Sequence, residues 1–361
     1  MAFSRYMELC LYDPELGYYS RHVEQFGKAG DFYTSSDVHA VFGRLIARQF
    51  DEMWQMLGSP TKIEVVELGP GRGLFAKDVL DWSEKKFPAF FDALHYSLIE
   101  RSPSLRQKLQ ATLSEHFFDE KVSLAESFLP TGIPVIVFAN EFFDALPVDI
   151  LSREGELRIA EQNGRLLETW APASVEASEF LDQYSVRPEA GERIEAPLVA
   201  QRYISQVAAR IERGFLLAID CGVLVAIDYG YTRREQLSGR HRGTIAAYRQ
   251  HSVSANPYEA PGEQDITAHV NFTALAGAAE QGGMKTQALR TQSQFLLGIG
   301  EQTQFADAFE ECRLPQEHAK VALQLKHLVT PSGMGDTFHV LVASKGVDPQ
   351  AVATLCGLAF G

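Results

Sequence analysis

Two carboxylates and an amide stand together in Asn140-Glu-Phe-Phe-Asp-Ala-Leu-Pro147, among apolar residues. Glu141 and Asp144, flanked by Phe142, Phe143 and Leu146, have restricted solvation, which is not ordinary surface chemistry. The plainer alternative is an N-cap followed by one helical turn. A second acid, Glu67, lies two residues before the first glycine of Gly69-Pro-Gly-Arg-Gly73. Glycines spaced G-x-G-x-G let backbone approach a ligand that faces the N-terminus of the next helix. The dinucleotide fingerprint is instead G-x-G-x-x-G, whose extra residue fits the turn to a pyrophosphate. An acid at the strand end would repel a pyrophosphate but suits an ammonium group. S-adenosylmethionine (SAM) has no phosphate and carries an amino acid and a sulfonium, so it matches both features. Glu100 ends a second apolar run, where a carboxylate can accept both hydroxyls of an adenosine ribose. Its alternative is a helix-start acid before Ser102-Pro103. Gly30-Asp31, in an aromatic-rich and glycine-rich N-terminal part, would let backbone and carboxylate approach the same ligand from a lid. The alternative there is a plain loop cover.

These groups need elements that bring them to one edge. Residues 63–68, 94–99, 122–125 and 134–139 read as buried strands separated by helices, the pattern of a parallel sheet. In doubly wound sheets the ligand sits outside the carboxyl ends of the strands, where Glu67, Glu100, Asn140, Glu141 and Asp144 would gather. Val38 to Leu57 is amphipathic and covers the sheet. Residues 151–205 are more polar and broken by prolines, an insertion that would form a substrate wall. Phe215-Leu-Leu-Ala-Ile-Asp-Cys-Gly222 is nearly repeated as Val223-Leu-Val-Ala-Ile-Asp-Tyr-Gly230, although only one fifth strand is needed. Phe272–Gln281 reads as a helix stopped by Gly282-Gly283, and 284–291 as a strand. Helices over 292–300, 303–312 and 315–328 precede a last strand over 337–344. The expected fold is α/β, a class I methyltransferase (Rossmann-like) doubly wound sheet with an antiparallel edge strand. An N-terminal cover (1–60) and helical or strand insertions complete a single domain, 1–361.

Composition narrows the classes. The 361 residues are 45% hydrophobic and carry a net charge of −14. Nucleic acid is disfavoured as a partner, because backbone binding needs clustered Lys and Arg. Cysteines 10, 221, 312 and 356 form no C-x-x-C pair, and no histidine spacing indicates a metal site. The most apolar segment, Phe215–Ile227, is interrupted by Asp220 and too short to span a bilayer. No targeting segment is read at Met1.

The blocks LYDPELGYY (11–19), GDFYTSS (30–36), VVELGPGRG (65–73), NEFFDALPV (140–148), IDYGY (227–231), GTIAAY (243–248), PGEQDITAHV (261–270) and MGDTFHVL (334–341) run in order over nearly the whole chain. Together they resemble the MidA-like family of SAM-dependent methyltransferases, which includes a mitochondrial complex I assembly factor. The resemblance implies that Glu67, Gly69, Gly71, Gly73 and Glu100 hold SAM, with Asn140, Glu141 and Asp144 beside its methyl group. It also implies an arginine of a protein partner, of the respiratory complex I subunit type, as substrate, with symmetric dimethylation as the product. The expected compartment is the bacterial cytoplasm or, in a eukaryote, the mitochondrial matrix. A SAM-binding assembly chaperone without turnover and a small-molecule methyltransferase are the alternatives. A nicotinamide dehydrogenase fits the glycine spacing and Glu67 poorly.

Overall fold

Ile63–Leu68 is buried at every position, glutamates included, because it is an interior strand of an open sheet. A computed structural model describes residues 1–20, 40–128, 132–223, 243–249 and 252–359. In chain order the strands are β1 (Ile63–Leu68), β2 (Leu94–Ile99), β3 (Val122–Ala125), β4 (Val135–Asn140), β5 (Asp149–Ser152), β6 (Gly155–Gln162), β7 (Arg165–Ala171) and β8 (Ile194–Ala196). Then come β9 (Gly214–Val223), β10 (Ala246–Arg249), β11 (Ser252–Ser254), β12 (Asp265–Thr267), β13 (Val270–Asn271), β14 (Lys285–Thr286), β15 (Arg290–Thr291) and β16 (Phe338–Lys345).

Contacts divide the chain into two units, one of them Tyr33–Phe142, Val207–Cys221 and Ala279–Gly361. It holds the main sheet, ordered β14-β16-β9-β4-β1-β2-β3. The run from β3 to β9 is parallel, and β16 enters antiparallel between β9 and β14. The strand order reverses between β1 and β4, which opens a crevice beyond their carboxyl ends. The helix Val41–Met56 packs its apolar stripe into the core of this unit. There the ring of Phe75 stacks on Phe138 at 4.4 Å, with Phe50 edge-on at 5.6 Å.

The other unit comprises Met1–Phe32, Phe143–Gln206 and Gly222–Ala278. It contains the antiparallel sheets β7-β6-β5-β8 and β11-β10-β12, and β13 paired with the tail of β9. Its N-terminal part departs from the loop reading, since Phe3–Tyr12 is a helix. Phe3, Tyr6, Met7, Cys10 and Leu11 are its buried face. That spacing of 3 and 4 is a helical stripe, readable in hindsight.

Other departures are local. Phe272–Gln281 is a helix as expected, whereas 284–291 is two short pieces, β14 and β15, each paired to β16. The helix expected over 303–312 shrinks to Ala306–Phe309, entered through Phe305 in the left-handed conformation. The first copy of the near-repeat supplies β9, between β4 and β16. The second copy from 224 onward, including 227–231, lies outside the described residues. Among the described residues no helix is long and apolar enough to cross a membrane.

Gly73 shows how packing fixes the turn. It caps the helix Leu74–Lys86 at φ +78°, and a Cβ there would stand 2.7 Å from Leu109 Cδ2. Gly73→Ala should cost about 2 kcal/mol through left-handed strain and overpacking. Urea unfolding should show a lower midpoint with an unchanged slope.

Candidate active site

Parallel pairing brings the acids to one edge. Leu68 lies opposite Ile99 on one side and Ala139 on the other, and Asn140 lies opposite Ile219. The residues that follow, Gly69, Glu100 and Glu141, therefore leave the sheet at neighbouring positions. Gly69 N donates to Ile99 O at 3.1 Å, which ties the start of the glycine turn to β2.

Gly69, Gly71 and Gly73 all have positive φ, so the spacing records a backbone requirement. A Cβ on Gly69 would come 2.8 Å from Phe142 Cδ2, which places that ring against the turn. Glu67 is 4% exposed, and its Oε2 accepts from the Tyr96 hydroxyl at 2.9 Å. Val65 pairs with Tyr96, so Tyr96 is diagonal to Glu67 on the same face of the sheet. Burial pushes the Glu67 carboxyl up to about 8, opposed by the Tyr96 hydrogen bond.

At Glu100 the structure realises the helix-start geometry. Its Oε1 accepts from Ser102 N at 2.7 Å, while Ser102 caps the helix Pro103–Thr112. Burial raises the Glu100 carboxyl, against the opposing effect of the Ser102 and Arg101 amides and the Arg106 charge.

The end of β4 is the most constrained piece. Asn140 Nδ2 donates to Glu141 Oε1 at 3.0 Å, while the buried Asn140 Oδ1 has no partner among the described residues. Glu141 has φ +52°, a left-handed conformation that costs a side-chain-bearing residue roughly 1–3 kcal/mol. Its N–H donates to Ile219 O at 3.0 Å, and Phe142 N donates to Asp220 Oδ2 at 3.2 Å. No helix lies between Asn140 and Pro147, so no N-cap forms; the segment closes a single turn, in which Leu146 N donates to Phe143 O at 3.2 Å.

Asp144 is described within the other unit. Its carbonyl accepts from Ala268 N at 2.9 Å, and the next carbonyl, Ala145 O, accepts from the Tyr12 hydroxyl at 2.8 Å. Tyr12 stacks on Tyr19, which donates to Asp265 Oδ1 at 2.9 Å. Burial raises Tyr19 well above the ordinary phenol range, helped by the Asp265, Tyr12 and Asp144 side chains. Gly30 and Asp31 lie outside the described residues.

Tyr96, Asp220 and Asp265 were not singled out from sequence as site residues. Asp220 did leave a signal, a carboxylate interrupting an apolar run. Tyr96 left none, because its partner becomes visible only when β1 and β2 pair.

A parallel sheet reversing between β1 and β4, with an antiparallel strand between its fifth and sixth members and a glycine turn after β1, is the architecture of class I SAM-dependent methyltransferases. The Methyltransf_28 profile of S-adenosyl-L-methionine-dependent methyltransferases matches residues 45–290, and the chain belongs to that family. Among its relatives is the Drosophila melanogaster "Protein arginine methyltransferase NDUFAF7 homolog, mitochondrial", 30% identical over 95% of this chain and 81% of the relative. The Homo sapiens "Protein arginine methyltransferase NDUFAF7, mitochondrial" is 26% identical over 94% and 79%. The crystal structure of a COG1565 superfamily member from Burkholderia thailandensis, bound to S-adenosyl-homocysteine, superposes with TM-score 0.83 at 27% identity. That match covers 100% of this chain and 91% of the other.

The protein is a SAM-dependent methyltransferase, and its sheet edge fits that cofactor. The positive-φ glycines set a tight backbone turn at that edge, Glu67 and Glu100 can accept from ammonium and hydroxyl groups, and Asn140 Oδ1 is a buried acceptor in want of a donor.

Two outcomes follow. The folded state raises the Glu67 pKa from 4.5 to about 8, so the stability from that proton is full below about pH 4.5 and is lost as pH rises through 8. Glu67→Gln should flatten the fall of unfolding free energy between pH 5 and 9, by at most about 1.4 kcal/mol per pH unit. Urea titrations at several pH values read this, and parallel profiles would count against it. Glu100→Ala should weaken SAM binding at least tenfold by calorimetry, since hydrogen bonds to a charged group are worth about 1.5–3 kcal/mol each. Unchanged affinity with lowered stability would reduce Glu100 to its contact with Ser102.

Proposed function

We propose that this methyltransferase transfers methyl groups to an arginine side chain of a protein partner, of the respiratory complex I subunit type. Glu141 and Asp144 handle the guanidinium in this reading. Gly30, Asp31, Glu67, Gly69, Gly71, Gly73, Glu100 and Asn140 hold the cofactor. The observation that carries it is Glu141, held left-handed at the carboxyl end of β4 and hydrogen-bonded to the half-satisfied Asn140. The curated relatives named as protein arginine methyltransferases support the choice of nucleophile. Their names also say mitochondrial, so the matrix, or the cytoplasm of a bacterium, is the compartment that goes with this reading.

The chemistry asks for such carboxylates. When bound, SAM supplies an electrophilic methyl group on its sulfonium. Arginine has a pKa above 12, so its guanidinium is a poor nucleophile. A carboxylate orients the planar fork, favours a lone pair on the attacking nitrogen and accepts the proton released on transfer. One carboxylate at about 4 Å contributes on the order of 4 kcal/mol at an effective dielectric of about 20. Only the part that grows in the transition state raises the rate, and alignment supplies the rest.

Glu141→Gln and Asp144→Asn keep shape while removing charge. Each should bind SAM normally and lose single-turnover transfer to an arginine-containing partner by about 100-fold, roughly 2.7 kcal/mol. Parent rates in both would sink the assignment. Loss of SAM binding would make them cofactor ligands instead. Intact-mass spectrometry of partners with labelled SAM separates turnover from chaperone-like holding.

A further inference from the structure

Asp220 lies within β9, just after the last residue paired to β4, with no solvent exposure, in a strand whose residues Phe215 to Ile219 are all apolar. A carboxylate there needs partners, and both of its oxygens have backbone N–H groups. Oδ1 accepts from Cys221 N at 2.8 Å, and Oδ2 accepts from Phe142 N at 3.2 Å. The second bond crosses from β9 to the residue after Glu141. Immediately before it, Glu141 N donates to Ile219 O at 3.0 Å. The Glu141 backbone is thus held on both sides by consecutive residues of one strand. Its φ of +52° is a conformation that a free glutamate leaves. Released from Asp220, the Glu141–Phe142 peptide can turn back toward the ordinary regions. That rotation carries the Glu141 carboxylate away from Asn140 and the Phe142 ring away from Gly69.

We infer that Asp220 is a positioning residue for methyl transfer, holding the Glu141–Phe142 turn so that the Glu141 carboxylate stays aimed at the substrate nitrogen. The inference rests on the reading of Glu141 as a substrate-handling carboxylate. Asp220 touches neither substrate nor cofactor in this scheme. It acts on kcat through the conformation of its neighbour across the strand pair.

The test is a double-mutant cycle between Asp220→Asn and Glu141→Gln, read by single-turnover transfer to an arginine-containing partner. Asp220→Asn keeps the volume and one acceptor, but turns an NH2 group toward one of the two backbone amides. It should lower the transfer rate by about tenfold or more, with SAM affinity within threefold of the parent. In the Glu141→Gln background the same substitution should change the rate less than twofold, because the group it positions is already disabled. An equal loss in both backgrounds would show a general structural role and overturn the proposal. If Glu141→Gln alone transfers at the parent rate, the reading of Glu141 falls, visibly in that single variant, and the proposal falls with it. If Glu141→Gln is inactive while Asp220→Asn keeps the parent rate, only the proposal falls. A second readout needs no turnover and covers a variant too unstable to assay. Glycine tolerates the left-handed conformation, so Asp220→Ser should lower the melting midpoint less in a Glu141→Gly background than in the parent. Equal drops in both backgrounds would overturn the holding role.

Discussion

The pairing of β1 between β2 and β4 is the constraint on which the site depends. Parallel neighbours present their carboxyl ends at the same edge, so one register decides which residues leave the sheet together. Glu67 and Gly69 from β1, Glu100 from β2 and Asn140-Glu141 from β4 become neighbours through that register alone. A slip by one residue would turn each of these side chains to the opposite face. The buried stack of Phe75 on Phe138, flanked by Phe50, anchors β4 against the helix that leaves the glycine turn.

Burial of carboxylates at this edge is the second theme, and each burial is compensated differently. Glu67 leans on a phenol, Glu100 on the amides of the next helix, and Asp220 on two backbone N–H groups. Glu64, on the opposite face of β1, accepts from Ser97 at 2.6 Å. The last pair resembles the Glu67–Tyr96 pair in its diagonal register yet points away from the ligand edge. A buried acid is therefore no guide to function by itself. What distinguishes Glu67, Glu100 and Glu141 is their position at or just past the carboxyl ends of their strands, beside a glycine turn and an unsatisfied amide oxygen.

The turns at this edge each have a backbone reason. The glycines at 69, 71 and 73 meet a φ requirement, and the left-handed Glu141 meets one at higher cost. Strain of that kind survives when neighbouring structure holds it, here two consecutive residues of β9. The near-repeat at 215–230 is legible in this light, since its first copy supplies the strand that does the holding.

Much of this was written in local sequence. Short apolar runs with β-branched residues mark β1, β2 and β4, and G-x-G-x-G after a glutamate marks the positive-φ turn that follows β1, because period and glycine tolerance act over a few residues. The helix Phe3–Tyr12 was equally local, its stripe hidden among aromatics that also suit a loop. Other features had no local signature. Nothing near Tyr96 names Glu67, and nothing near Asp220 names Phe142, for these partners are 29 and 78 residues apart. Whether this segment would be an N-cap and helical turn or a substrate-side loop was likewise open, and the left-handed Glu141 has no local signature. Sequence determined which residues were able to do the chemistry, through side-chain type and short-range backbone preference. Only the tertiary structure decided how they are held, because strand register and burial set each carboxylate's partner, charge and direction.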